Sequence, residues 1–194
     1  MREYKLIAHR GSHKYAKENS LFSFFNAINE NYYGFECDVR QSKDKKFYIY
    51  HDMLYDGKLF KSLNSNEIMC DTLESVLKLN TNKIILLEIK DPFIDIDNLV
   101  NILTKYKSKN IYVMSFYNTI IDKLNIMNKT YKVGILNYVL NTTEKHFKYD
   151  FICILRTFSN DKIINFIKKN NKELFVYGNY NNNFKYDFPY YIVD

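Results

Sequence analysis

Within GFECDVR, residues 34–40, two carboxylates, Glu36 and Asp38, alternate with apolar side chains. In an extended strand, positions i and i+2 share a face, so these carboxylates stand about 7 Å apart while Phe35, Cys37 and Val39 face the other way. The plainer reading is a solvent-facing strand edge. If the strand is buried on both faces, isolated charges there are costly and something positive must compensate them. A divalent cation, Mg²⁺ or Ca²⁺, suits hard carboxylate oxygens. A third acid, Glu88, interrupts the apolar run KIILLEIK near its end, with Lys90 two residues on and on the same face. Glu88 is either one half of a salt bridge to Lys90 or a third metal ligand, and three acids at strand ends favour the ligand reading.

Two histidines close strands of their own: His9 ends YKLIAH and is followed by Arg10, and His51 ends KFYIYH and is followed by Asp52. Imidazole titrates near neutral pH, as acid–base catalysis requires. Arg10 offers a planar fork and Lys90 a second positive charge, which together with a metal would neutralise a phosphodiester. Asp52 either orients His51 or caps the next turn. Glu18 and Asn19 either open a helix or reach back into the site. His13 and His146 read as surface residues. Cys37, Cys70 and Cys153 are odd in number and widely spaced, which fits neither a disulfide framework nor a CxxC metal site and points to a reducing compartment. Nothing beside Cys37 or Cys153 indicates an activated thiolate.

The elements that must position these groups follow from periodicity. Eight short apolar runs recur: 4–9, 34–39, 83–89, 111–116, 132–136, 151–155, 173–178 and 190–194. Between most of them lie stretches with helical spacing, SLFSFFNAI, DTLESVLKL, NLVNILTKY and NDKIINFIKK, several opened by a Ser, Asp or Asn cap. Alternation of this kind predicts an α/β fold with a parallel sheet buried on both sides. Eight units closing on themselves predict a TIM (β/α)8 barrel, compact and with short loops, since 194 residues is at the small end for that fold. An open doubly wound sheet is disfavoured because no glycine-rich turn follows the first strand. The run KKFYIYHD (45–52) follows the second strand too closely for a parallel crossover, so it predicts an extra antiparallel hairpin arm. With the turn centred near Asp44, His51 returns to the level of residue 37, beside Glu36 and Asp38.

The chain carries 28 Lys and Arg against 22 acids, a formal charge of +6. No basic cluster interleaved with aromatics accompanies that charge, so nucleic acid is not the expected partner. No basic-then-apolar leader precedes residue 10, and the longest aliphatic run, IILL, is far below the ~20 residues that span a bilayer. The expectation is one domain over residues 1–194, cytoplasmic, without stable membrane insertion.

The ordered stretches IAHRG, KENSLFSFFNAI, GFECDVRQSKD, FYIYHD and LLEIK resemble the motifs of the glycerophosphodiester phosphodiesterase family, most closely over residues 6–52. The resemblance implies a metal-dependent barrel hydrolase that cleaves glycerophosphodiesters to sn-glycerol 3-phosphate and an alcohol. Carried over by position, Glu36, Asp38 and Glu88 would hold Mg²⁺ or Ca²⁺, His9 and His51 would form the acid–base pair, and Arg10 would grip the phosphate. Lys90 and Glu18 match further polar positions. The chain departs from the family at Lys17, Ser20 and Tyr177, where Pro, Thr and Trp are usual. It also has only 35 residues between Asp52 and Glu88, where many members carry an insertion near the substrate. Two alternatives stand beside the leading one. A lysophospholipid could be the substrate, in the manner of lysophospholipase D and sphingomyelinase D enzymes, or the barrel could bind phosphoesters without turnover.

Overall fold

The computed structural model describes residues 4–127, 129–140, 148–179 and 184–194, with Asn179 described by its backbone only. His146 and the Asn-rich stretch at 181–183 lie outside the described residues. Among the described residues eleven strands run in chain order: β1 (Lys5–Ala8), β2 (Gly34–Gln41), β3 (Phe47–Ile49), β4 (Leu54–Tyr55), β5 (Lys58–Leu59), β6 (Ile84–Ile89), β7 (Asn110–Ser115), β8 (Lys132–Asn137), β9 (Phe151–Leu155), β10 (Glu173–Asn179) and β11 (Tyr190–Val193). Eight of them pair in parallel in the order β1-β11-β10-β9-β8-β7-β6-β2, and β2 pairs again with β1, so the sheet closes into a TIM barrel. These eight are the apolar runs of the sequence. β3 pairs antiparallel with β2 outside the ring, with Val39 opposite Ile49 and Gln41 opposite Phe47. That register centres the turn on residue 44, and Tyr50 N continues it by donating to Asp38 O at 3.0 Å.

Helices α1 (Leu21–Asn29), α2 (Leu73–Leu77), α3 (Ile96–Lys105), α4 (Asn118–Ile126) and α5 (Asp161–Lys169) lie between strands. Ser20, Asp95 and Asn160 cap α1, α3 and α5 through their side chains. α2 departs from expectation: Thr72 is its cap, and Asp71 instead accepts from Leu21 N at 2.7 Å, tying the start of α2 to that of α1. The link from β2 to β6 also holds the β4–β5 hairpin, which the sequence reading did not foresee.

Strand alternation divides the apolar residues into two layers. Phe35, Cys37, Val39, Ile85, Leu87 and Val113 face the helices. Ile7, Leu86, Tyr112, Phe151, Phe175 and Ile192 fill the interior. Tyr112, Phe151 and Phe175 meet with ring centroids 5.0 to 5.5 Å apart. Gly134 makes this possible, because a Cβ there would sit 2.4 Å from the Phe151 ring. Beneath the aromatics, Lys132 Nζ binds Glu173 Oε2 and the Tyr112 hydroxyl, both at 2.7 Å. The amino-terminal end is thereby filled, and the polar chemistry is confined to the other end.

Candidate active site

Glu36 and Asp38 lie on the inner face of β2, and parallel pairing sets Asp38 directly beside Glu88 of β6. One oxygen from each of the three carboxylates falls within 4.8 Å of the others. Glu36 and Asp38 are each 1 % exposed. The salt bridge of Glu88 to Lys90 forms, with Lys90 Nζ 2.7 Å from Glu88 Oε1 and 3.5 Å from Asp38 Oδ1, and Glu88 also lies in the acidic cluster with Glu36 and Asp38.

Burial, followed by the charges of Asp38 and Glu88, pushes the Glu36 carboxyl well above the usual carboxylate range. Burial also raises Glu88, with Lys90 opposing. Glu36 Oε2 accepts from Arg10 N at 3.1 Å, while Glu36 Oε1 is buried with no hydrogen-bond partner. An orphaned oxygen among three converging hard donors fits a divalent cation bound by Glu36, Asp38 and Glu88.

The left-handed backbone at Arg10, φ 53°, aims its N–H at Glu36 and its guanidinium at Asp38 Oδ2, 3.2 Å from Nε. Gly11 follows at φ 81°, and a Cβ there would strike the backbone of Ser23 at 2.7 Å, so only glycine lets α1 pack against this loop. Glu18 holds Arg10 Nη1 at 2.8 Å, which makes it a group that reaches back to the site rather than a helix-start residue alone. Asn19, also left-handed, clamps Asp38 twice: its Nδ2 donates to Oδ2 at 2.8 Å and its Oδ1 accepts from Asp38 N at 3.2 Å.

His9 stands just past β1, with Nε2 4.0 Å from Glu36 Oε2 and Nδ1 2.5 Å from Asp194 Oδ1. His51 Nδ1 is 2.8 Å from Asp52 Oδ1, so Asp52 orients the ring, and the charge of His51 acts on Glu88. Each imidazole is thus anchored through Nδ1 to an aspartate, leaving Nε2 to face outward chemistry.

The sequence reading missed three contributors. Asp194 ends the last barrel strand in YYIVD, a strand-end acid like the others. Arg40 continues the Glu36–Asp38 face by two more residues. Its Nε and Nη2 donate to His51 O at 3.0 and 2.8 Å and its Nη1 to Asp91 Oδ1 at 2.5 Å, pinning the return arm that carries His51. His13 is only partly exposed, at 28 %, and its Nε2 is buried 3.9 Å from Asp194 Oδ1. The buried thiols of Cys37 and Cys153 are pushed well up by burial, so neither is a thiolate.

A cavity of about 470 Å³ adjoins the triad between the 53–61 segment and the ends of β6 and β7. No helix among the described residues is long and apolar enough to cross a membrane.

The class is therefore a closed α/β barrel with an acidic triad, two anchored imidazoles and two cations at the carboxyl ends of its strands. A sequence profile of the glycerophosphoryl diester phosphodiesterase family matches residues 9–83, well under half of the chain. The Bacillus subtilis protein YhdW, named for the same enzyme, is 36 % identical over 76 residues, a stretch spanning 39 % of this chain and 30 % of that protein. Among solved structures, a phosphodiesterase from Oleispira antarctica in complex with the product sn-glycerol-3-phosphate superposes with a TM-score of 0.80 at 18 % identity, covering 89 % of this chain and 83 % of that one. A glycerophosphodiester phosphodiesterase from Agrobacterium tumefaciens gives 0.78 at 17 % identity over 98 % and 96 %. One from Parabacteroides distasonis gives 0.76 at 24 % over 89 % and 83 %. At these identities the structural likeness speaks for the fold.

Proposed function

We propose that residues 1–194 act as one domain that hydrolyses glycerophosphodiesters to sn-glycerol 3-phosphate and an alcohol. The observation that carries this reading is the meeting, at one end of the barrel, of the Glu36–Asp38–Glu88 triad with two aspartate-anchored imidazoles and the cations Arg10 and Lys90. Glu36, Asp38 and Glu88 would hold Mg²⁺ or Ca²⁺. Bound there, such an ion supplies Lewis-acid polarisation of the phosphoryl group.

The chain's own residues do the rest. Arg10 and Lys90 draw the phosphate oxygens towards the triad, and Glu18 keeps the Arg10 fork in place. One imidazole Nε2 takes the proton of the nucleophile, which is water or a neighbouring glycerol hydroxyl. The other imidazole gives a proton to the departing alkoxide. Hydrogen bonds from Nδ1 to Asp194 and Asp52 hold each ring in the tautomer that presents Nε2.

The test is release of sn-glycerol 3-phosphate from a panel of glycerophosphodiesters in Mg²⁺, Ca²⁺ and Mn²⁺. Replacing His9 or His51 by Ala is expected to lower kcat by about 10²- to 10⁴-fold while leaving the thermal shift on adding the metal ion in place. Absence of turnover in every ion, or full activity in both variants, overturns the reading. Tight binding of a glycerophosphodiester without turnover would turn the assignment to a phosphoester-binding barrel.

A further inference from the structure

The cavity beside the triad has a composition that the hydrolytic machinery does not require. Met53 and Leu59 come from the shortened link between β2 and β6, Ile89 and Pro92 from the end of β6, and Phe116 and Tyr117 from the end of β7. Met53 is 65 % exposed and Phe116 36 %, so the apolar wall is open to an incoming group. Phe116 is held in place by Tyr138, 5.1 Å away between ring centroids, and by Tyr177 at 6.5 Å. The wall is a fixed surface rather than a loose side chain.

The acidic groups around it are already paired. Asp91 accepts from Arg40 Nη1 at 2.5 Å and from Gln41 N at 2.9 Å. Glu88 accepts from Lys90, and Ile89 O accepts from Ser115 Oγ at 2.7 Å. Glycerol brings two free hydroxyls that need partners, and these walls have few to offer. The opposite rim, with Glu18, His13 and Asp194, is polar. An ammonium group suits the cavity no better. Aromatic faces attract cations, but both acids here are neutralised, while Arg40, Lys90 and Lys61 all line the space. Lys61 has no ion-pair partner among the described residues.

From these walls we infer that the cavity receives the leaving-alcohol arm of the diester, and that the preferred alcohol has an apolar, uncharged body rather than a cationic one. The inference rests on the hydrolase reading above and names the part of the substrate that reading leaves open. The 53–61 segment, short as it is, then does the work of alcohol recognition.

Two comparisons test it, both on the intact protein with a saturating divalent ion. The first uses sn-glycero-3-phospho esters of n-alkanols from ethanol to hexanol, whose intrinsic reactivity is nearly constant. Full burial of a methylene corresponds to about a fourfold gain, and in a cavity open on one side about twofold per methylene is expected, roughly 15-fold across the series in kcat/KM. Met53→Ser and Phe116→Ala are each expected to flatten that slope, and the exposure of Met53 makes its variant safe for folding. The second comparison sets glycerophosphocholine against the ester of 3,3-dimethylbutanol, its uncharged isostere. The isostere is expected to win, although the ammonium makes choline the better leaving group. A flat alkyl series, a slope unchanged in both variants, or a preference for choline overturns the inference while hydrolysis itself stands. If no ester in either set is cleaved in any ion, the hydrolase reading fails instead.

Discussion

Replacing Glu36 by Gln separates a residue that stabilises the fold from one poised for a cation. Glu36 shares the barrel mouth with Asp38 and Glu88, all within 4.8 Å, and burial with those two charges drives its carboxyl well up. At an effective dielectric near 20, one such pair of like charges repels by about 3 kcal/mol. Arg10 and Lys90 offset much of the sum over two pairs, leaving a net relief of roughly 1–3 kcal/mol when one charge is removed. Gln keeps the bond from Arg10 N through its carbonyl oxygen, and its amide can donate to the neighbouring carboxylates, so the orphaned Oε1 gains a use. In chelator, Glu36→Gln should therefore melt above wild type, by about 2–4 °C per kcal/mol in a domain of this size. In Mg²⁺ or Ca²⁺ at about 1,000 times the Kd the order should reverse, because the ion stabilises only the chain that binds it, by about 4.1 kcal/mol. Differential scanning calorimetry in the two conditions reads both signs. A variant less stable than wild type in chelator would refute the reasoning, since Glu36 would then be serving as a structural anchor.

Gly134→Ala would place a Cβ 2.4 Å from the Phe151 ring, which Tyr112 and Phe175 hold from the other sides. Overpacking of this kind costs about 1–3 kcal/mol or more, so the urea midpoint should fall, and an unchanged midpoint would count against the interior packing described. At the β2–β3 turn, hydrogen bonds from Ser65 and Ser42 hold the Asp44 carboxyl below its ordinary 3.8. A lowered folded pKa contributes stability that is present above the unfolded value and is lost as pH falls through the folded one. The stability difference between wild type and Ser65→Ala should accordingly be constant near neutrality and shrink once pH drops below 3.8, and a difference that grows in acid would contradict the sign.

The parts of the molecule legible in the sequence are those where one periodicity governs. Strands buried on both faces read as continuous apolar runs, and acids that interrupt those runs stand out, which is why Glu36, Asp38 and Glu88 could be singled out without coordinates. The hairpin arm was legible because the four residues between GFECDVR and KKFYIYHD exclude a parallel crossover, and its register then follows from the position of the turn. Helix α4 was not, because NTIIDKLNI opens on Tyr117 with no capping side chain and its apolar residues are interrupted. The β4–β5 hairpin is two residues per strand and half-exposed, below the length at which alternation becomes a pattern. Arg40 and Asp194 obey the same rules that flagged the triad, one by sharing the face of Asp38 and the other by ending a barrel strand.

Ring order explains why the chemistry and the apolar cavity do not interfere. Asp194 follows β11, His9 and Arg10 follow β1, Glu36 and Asp38 lie on β2, and Glu88 and Lys90 close β6, and these four strands are consecutive around the barrel. Phe116, Tyr138 and Tyr177 come from the ends of β7, β8 and β10 on the other half. A diester held at the triad thus meets ionic and imidazole groups on one side and aromatic carbon on the other. One closed sheet with a filled floor can therefore set ionic groups and an aromatic wall on adjoining arcs of one rim, each positioned by the strand beneath it.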